Sequence, residues 1–315
     1  MFRIPPLALL ASVCLACGDD ASSDDDGGDG HGTASSTSNP GDGGDGGPAT
    51  GGNPSSGGVS ETTGPAGSTG DDATTAAESS DSSGAPPVQL LFSDDFEAGA
   101  PGGMADPTKW EYASGAGTAV LSDARAMSGT QSLHVTSPSG SYETFIRTAV
   151  PFPVADNAFW GRMYFYIEEL PVDDFVHWTV MEARGAGNNN RVRVGGINNP
   201  HGGDFFTHTW ILNVETQGQG EIGASDDSDI PAGQWFCLEW RYDGTPGANE
   251  AQVFIDSVES ESMHSLDDFF AGVYQMPTFE HLYVGWAIYQ PISLPYQVWI
   301  DDVAVHDERI GCDVR

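Results

Sequence analysis

Gln234-Trp235-Phe236-Cys237-Leu238-Glu239-Trp240-Arg241-Tyr242-Asp243-Gly244, and then Ala251-Gln252-Val253-Phe254-Ile255-Asp256, are the residues whose reading decides the fold. Aromatic and β-branched side chains crowd both runs, and Thr245-Pro246-Gly247 turns the chain between them, so the pair reads as a β-hairpin. The same texture extends outward. Strand-like runs occupy 88–92, 132–136, 143–147, 159–167, 176–183, 191–197, 208–214, 282–289 and 297–305, with Gly, Pro, Asn and Asp clusters between them. No long helical period occurs, and 265–270 is read as one short turn. A dozen or so strands with this punctuation predict an all-β antiparallel sandwich, most simply a jelly roll.

An aromatic-rich strand, a polar turn and a returning strand that ends in Asp resemble the concanavalin-like lectin and glucanase sandwiches, where one sheet holds glycan. That resemblance implies a fold class, since function depends on the site and not on the scaffold.

The chain ahead of this domain is of another kind. Residues 1–17 carry Arg3, a short apolar run and small residues, which reads as a secretory signal too short to span a bilayer. Cys14-Leu15-Ala16-Cys17-Gly18 resembles a bacterial lipobox with Cys17 as the acylated anchor, although Cys14 stands where Leu is usual. The alternative is an ordinary signal peptide cut near Ala16. Residues 18–87 are Gly, Ser, Thr, Asp and Pro with scarcely a large apolar group, so they are expected to form a disordered acidic linker with a reach of roughly 45 Å. The jelly-roll domain is assigned to 88–315. The protein is therefore expected to be exported, as a lipoprotein at the cell surface or in the periplasm, or otherwise secreted. Its only membrane contact would be the lipid on Cys17.

The formal charge is −35, from 46 acids and 11 bases; 13 acids and no base fall in the linker. The domain itself keeps a net charge near −23. Such a surface repels phosphate backbones, which excludes nucleic acid as a partner, and it favours a soluble monomer. Two cysteines remain in the domain, Cys237 and Cys312. In an exported protein they read as a disulfide closing about 75 residues, worth about 4 kcal/mol on the chain-entropy model. Two unpaired thiols are the alternative that an oxidising compartment disfavours.

A narrower resemblance rests on blocks that run in order through the domain. They are Ser93-Asp94-Asp95-Phe96-Glu97 with Lys109-Trp110, Ser128-Gly129-Thr130-Gln131-Ser132-Leu133, and Arg193-Val194-Gly195-Gly196. They continue with Trp235-Phe236-Cys237-Leu238-Glu239, Val284-Gly285-Trp286 with Tyr289, Val298-Trp299-Ile300-Asp301-Asp302-Val303, and Arg309-Ile310-Gly311-Cys312. Together they resemble the core domain of the fungal cellulose-induced secreted protein and its bacterial relatives. That family is itself similar to jelly-roll polysaccharide lyases acting on glucuronan and alginate. The resemblance implies a structural calcium ion held by Glu97, the Ser128 carbonyl, Gln131 and Asp301, an oxygen set that suits this ion. It also implies a disulfide between Cys237 and Cys312. The alternative for the carboxylates is that Asp301 ends a strand and Glu97 is a solvated edge residue.

The same resemblance implies β-elimination on a polyuronate. A donor must neutralise the sugar carboxylate, a base must remove the adjacent proton, and an acid must return one to the leaving oxygen. Arg193, Tyr289 and His177 are the catalytic candidates, and Arg191, Gln290, Trp210 and His208 the substrate-binding ones. Arg184, Arg191 and Arg193 form the densest basic cluster of the domain, where an anionic sugar would be tolerated. The sequence departs from the family at Arg191, where a His is usual, at Ile197, where a Gln is usual, and at Ala287, where an acid is usual. Arg191 cannot serve as a base. Each residue also has a plainer role: the arginines pairing with acids such as Glu182, Tyr289 and His177 packing in a core. Two further readings stay open. One is a carbohydrate-binding module without turnover, presenting Trp178, Trp210, His208, Tyr289 and the Arg pair, with Asn188, Asn189, Asn190 and Asn213 on hydroxyls. The other is an adhesin with a protein partner.

Overall fold

The computed structural model describes residues 89–173, 175–187, 189–198, 208–216, 218–265 and 274–313. The expected leader with Cys17, the linker, Asn188 and nearly all of the turn at 265–270 lie outside the described residues. The chain divides into two units, and the described residues belong to the one that contains 87–315.

Among the described residues there are fifteen strands. They are β1 (Phe92–Asp94), β2 (Glu111–Ser114), β3 (Thr118–Ser122), β4 (Ser132–Ser137), β5 (Glu143–Thr148), β6 (Ala158–Ile167), β7 (Val176–Arg184) and β8 (Arg191–Asn198). There follow β9 (His208–Thr216), β10 (Gly220–Asp226), β11 (Trp235–Asp243), β12 (Glu250–Ile255), β13 (Val258–Glu259), β14 (His281–Ile288) and β15 (Tyr296–His306). Two antiparallel sheets result, a jelly-roll sandwich. One sheet runs β13-β12-β11-β6-β15-β4-β3 with β1 also on β15, and the other runs β10-β9-β8-β7-β14-β5-β2.

Period-two alternation assigns each strand an inner and an outer face. Val192 and Val194 of β8 are buried in the core, so Arg191 and Arg193 point away from it. Large aromatics fill the space between the sheets: Phe165 stacks near Trp286 at 6.5 Å, and Trp210 meets Phe236 edge-on at 5.6 Å. Truncating any one of these to Ala would cost about 3–5 kcal/mol, transfer and cavity together.

Cys237 and Cys312 form a disulfide with Cα atoms 5.9 Å apart, which fastens β11 to the tail beyond β15. Buried Glu239, two residues further along β11, accepts hydrogen bonds from Arg309 Nε at 2.9 Å and Gly311 N at 2.7 Å, a second fastening of the same tail.

One irregularity decides which residues reach the outside. β7 slips register against β8 between Thr179 and Met181, so Val180 and Met181 both lie in the core. That single extra residue reverses the alternation beyond it. Trp178 turns inward, and Thr179 and His177 share the outward face with Glu182. Gly195 sits opposite the bulge, where a Cβ would come within 1.9 Å of the Trp178 carbonyl oxygen.

The expected strands match within a few residues, but the first begins late, at Phe92 and not at 88. β2, β3, β10 and β13 were not legible in advance. β10 lies at a sheet edge with alternate residues exposed, so nothing selects large apolar side chains along it.

Candidate functional site

The outward face of the seven-stranded sheet gathers Arg191 and Arg193 from β8, Glu182 and Thr179 from β7, Glu215 and Asn213 from β9, Glu221 from β10, and Tyr289 just past β14. Register explains the gathering. Arg193 lies between Glu182 and Asn213, Arg191 lies beside Glu215, and Glu215 lies beside Glu221.

Arg193 is 5% exposed and bonds through Nη2 to Glu215 at 2.9 Å and Glu221 at 2.8 Å. Arg191 reaches Glu215 at 2.8 Å and Glu182 at 3.3 Å. Arg184 bonds to the fully buried Glu182 and lies 3.8 Å from Glu143. Three arginines thus face four glutamates. Burial opposes charge on Arg191 and Arg193, but Tyr289 and the neighbouring carboxylates outweigh it and raise both above the ordinary guanidinium range. Burial also opposes the charge on Glu215, yet Arg193 and Arg191 hold it below the usual carboxylate range. Glu221 is raised, first by burial and then by the charge of Glu215. The expected local excess of positive charge is therefore corrected: it exists along the sequence and is cancelled in space by acids from β7, β9 and β10.

Tyr289 is half-buried with its ring 4.7 Å from the Arg193 guanidinium carbon, and its hydroxyl donates to Thr179 Oγ1 at 3.1 Å or Glu182 Oε1 at 3.2 Å. Burial and the Glu182 charge push its pKa up to about 12. His177 is brought to the same patch, its pKa lowered to about 4 by burial and by Arg193. Its Nε2 is buried and has no hydrogen-bond partner among the described residues. Arg193, Tyr289, His177 and Arg191 therefore come together.

Of the other candidates, Gln290 lies beside His177, whereas Trp210 lies in the core. Trp210 is fully buried in the core beside Trp178, on the opposite face, so neither ring can meet a sugar there. The inward set of β9, Trp210, Leu212 and Val214, is the reason. His208 contacts the Pro171 carbonyl at 2.8 Å, fastening a loop. Gln290 accepts from the His177 amide at 2.6 Å, which joins the end of β14 to β7. Asn190 bonds back to Ala186, and Asn213 to Glu221. Sequence reasoning missed Glu215, Glu221 and Thr179. The first two flank the Gly218–Gly220 turn, whose hairpin pairs them, and Thr179 depends on the bulge.

The residues implied for calcium surround one loop. Backbone amides of Met127 and Ser128 donate to Asp301 at 2.8 and 3.2 Å, and those of Thr130 and Gln131 donate to Glu97 at 2.7 and 2.9 Å. Gln131 Nε2 donates to the Phe96 carbonyl at 2.8 Å. Asp301 is fully buried with no cationic partner among the described residues, and burial raises its pKa to about 7. Asp302 Oδ2 is also buried and without a partner among the described residues. An adjoining cavity of about 330 Å³ is lined by Asp94, Asp95, Ser128 and Asp302 and also by the cations Lys109 and Arg162, of which Lys109 pairs with Asp94 at 3.1 Å. Asp301 has no countercharge among the described residues and the neighbouring Asp302 Oδ2 no partner, which suits a hard cation, although the Asp301 oxygens already accept from the Met127, Ser128 and Asp302 amides. Among the described residues no cluster of three or more His, Cys, Asp or Glu forms a metal site, so carbonyl and amide oxygens would have to complete the shell.

Residues 95–308 match the family described as Cip1-like, core domain, of the polysaccharide lyase-like group. Among solved structures, Cellulose induced protein, Cip1, aligns at 20% identity with a TM-score of 0.50, over 70% of this chain and 99% of its own. The endo-β-1,4-glucuronan lyase of the fungus Trichoderma reesei aligns at 13% identity with a TM-score of 0.48, over 70% of this chain and 96% of its own. No curated protein matches the sequence. At such identities the likeness to solved structures is one of fold.

Proposed function

Because the chain belongs to the Cip1-like core-domain family, we propose that its sandwich binds polysaccharide on the outward face of the seven-stranded sheet. The observation that carries this reading is the meeting of Tyr289, Arg193 and His177, from three different parts of the chain, on one side of one sheet. The surrounding carboxylates and amides, Glu221 and Asn213 among them, supply acceptors and donors for sugar hydroxyls.

Cleavage of a polyuronate by β-elimination is the second reading, and the pairing of Arg193 with Tyr289 favours it. The sugar carboxylate would have to replace Glu221 on Arg193. Glu221 is the more exposed of the two glutamates on Arg193, and its raised pKa eases protonation and release. His177, neutral at pH 7, would take the proton adjacent to the carboxylate once its buried Nε2 was uncovered. The Tyr289 hydroxyl would protonate the leaving glycosidic oxygen.

A panel of polyuronates and neutral glucans tests both. Retention of the protein in gels that contain a polysaccharide, weakened by Tyr289→Ala, is expected. A rise in ultraviolet absorbance from the unsaturated product would establish turnover, and retention without any rise would reject it. No retention on any polymer would reject the site.

We further propose a structural calcium ion at Glu97, the Ser128 carbonyl, Gln131 and Asp301, supported by the burial of Asp301 without a countercharge among the described residues and by the unpartnered Oδ2 of Asp302 beside it. Its charge would stabilise Asp301 and hold the loop 127–131 against β15. Export, with Cys17 as lipid anchor, is proposed from the leader; the Cys237–Cys312 disulfide supports an oxidising compartment.

A further inference from the structure

Phe175 lies immediately before β7 and combines three independent features. Its φ is 50°, in the left-handed region, where a bulky side chain is strained. Its residue is 43% exposed, so a large part of the ring faces solvent. Its ring centroid lies 5.1 Å from that of His177, inclined at 45°. His177 in turn is tied to Tyr289, whose amide donates to the His177 carbonyl at 3.1 Å.

The loops around Phe175 are fixed to one another. Ser293 N donates to Asp173 Oδ1 at 3.1 Å, Val172 N to the Tyr296 hydroxyl at 3.2 Å, and Ser141 Oγ to the Tyr289 carbonyl at 2.6 Å. Tyr142, Val172 and Leu294 on those loops are exposed as well. Of these exposed apolar side chains, Phe175 touches the patch directly, through His177. The patch supplies charges and hydrogen-bonding groups, and Phe175 supplies what it lacks, an open aromatic face.

We infer that Phe175 is a sugar-stacking residue, held outward by its strained backbone to meet the C–H face of a pyranose ring. The occupant is a polysaccharide chain because the Phe175 ring adjoins the polar patch at His177; a pyranose offers both an apolar ring face and hydroxyls to such a boundary. This rests on the polysaccharide reading of the same site. It adds a residue that neither charge nor register marked. Strain that is retained at an exposed aromatic is the mark of a residue kept for contact and not for packing.

Three variants of the full chain, Phe175→Ala, Phe175→Trp and Phe175→Asn, test it in two ways. In gels containing a soluble β-1,4-glucan or polyglucuronate, Ala and Asn are expected to weaken retention about fivefold, and Trp to preserve it. Without any polymer, Asn is expected to raise the melting temperature by about 2–4 °C, because Asn tolerates the left-handed region. A fall in melting temperature for Asn would show that the ring supports the fold, and retention of Ala equal to the wild type would show that no sugar stacks on it. Either result overturns the inference while leaving the site reading intact. A wild-type protein retained by neither polymer would overturn both together.

Discussion

His177 illustrates how one side chain's surroundings set its chemistry. Burial and the nearby Arg193 disfavour its charged form, lowering its pKa from 6.5 to about 4. The unfolded chain therefore binds a proton that the folded protein refuses between about pH 6.5 and 4. Stability is expected to fall as pH is lowered through that window, by about 3 kcal/mol at most, and to be insensitive to this group above it. Arg193 is the charge that acts on it directly, and Glu215 and Glu221 partly screen that charge. His177→Gln should flatten the acid limb of a melting-temperature profile; an unchanged limb would mean that the imidazole is solvated. Tyr289 shows the opposite case. Its hydroxyl keeps its proton far above neutrality, so it can donate at pH 7 but cannot act as a base unless Glu182 takes that proton first.

At the scale of elements, the bulge in β7 governs what the patch contains. Gly195→Val would drive a side chain into the Trp178 carbonyl and press the bulge out. The variant is expected to lose about 2–4 kcal/mol and to lose polysaccharide retention more than that loss of folded protein explains. Circular dichroism melting and gel retention, measured together, separate the two effects. The disulfide acts on another element, the tail after β15. Cys312→Ser is expected to lower the melting temperature by about 10 °C while Glu239 still holds Arg309 and Gly311. A shift of under about 2 °C would mean that those hydrogen bonds fasten the tail without the disulfide. Neither the bulge nor the Glu239 contacts could be seen in periodicity, since one extra residue leaves a local pattern of Trp178, Val180 and Met181 that is apolar under either register.

For the whole molecule, the large negative charge is the governing quantity. A domain with 33 acids and 10 bases repels itself, and a divalent cation at Asp301 would reduce that cost where it is least screened. Adding millimolar calcium is expected to raise the melting temperature by several degrees, and a chelator to reverse it. A melting curve indifferent to both would leave the loop 127–131 held by its backbone hydrogen bonds alone. The all-β class, the approximate strands, the family and the cysteine pair were legible in the residues themselves. The class, the strands and the cysteine pair depend on local alternation, turn chemistry or composition, and the family on the resemblance of blocks such as Val298-Trp299-Ile300-Asp301-Asp302-Val303, all of which a linear chain carries without reference to what packs on it. The positions of Arg191 and Arg193 on one face were legible for the same reason. Their neutralisation by Glu215 and Glu221, the inward turn of Trp210 and the exposure of Phe175 were decided by the tertiary structure. Pairing between strands brings together charges that are distant along the chain, and a single bulge exchanges inside for outside. Electrostatic balance and solvent access are sums over neighbours in space, so only the folded arrangement fixes them.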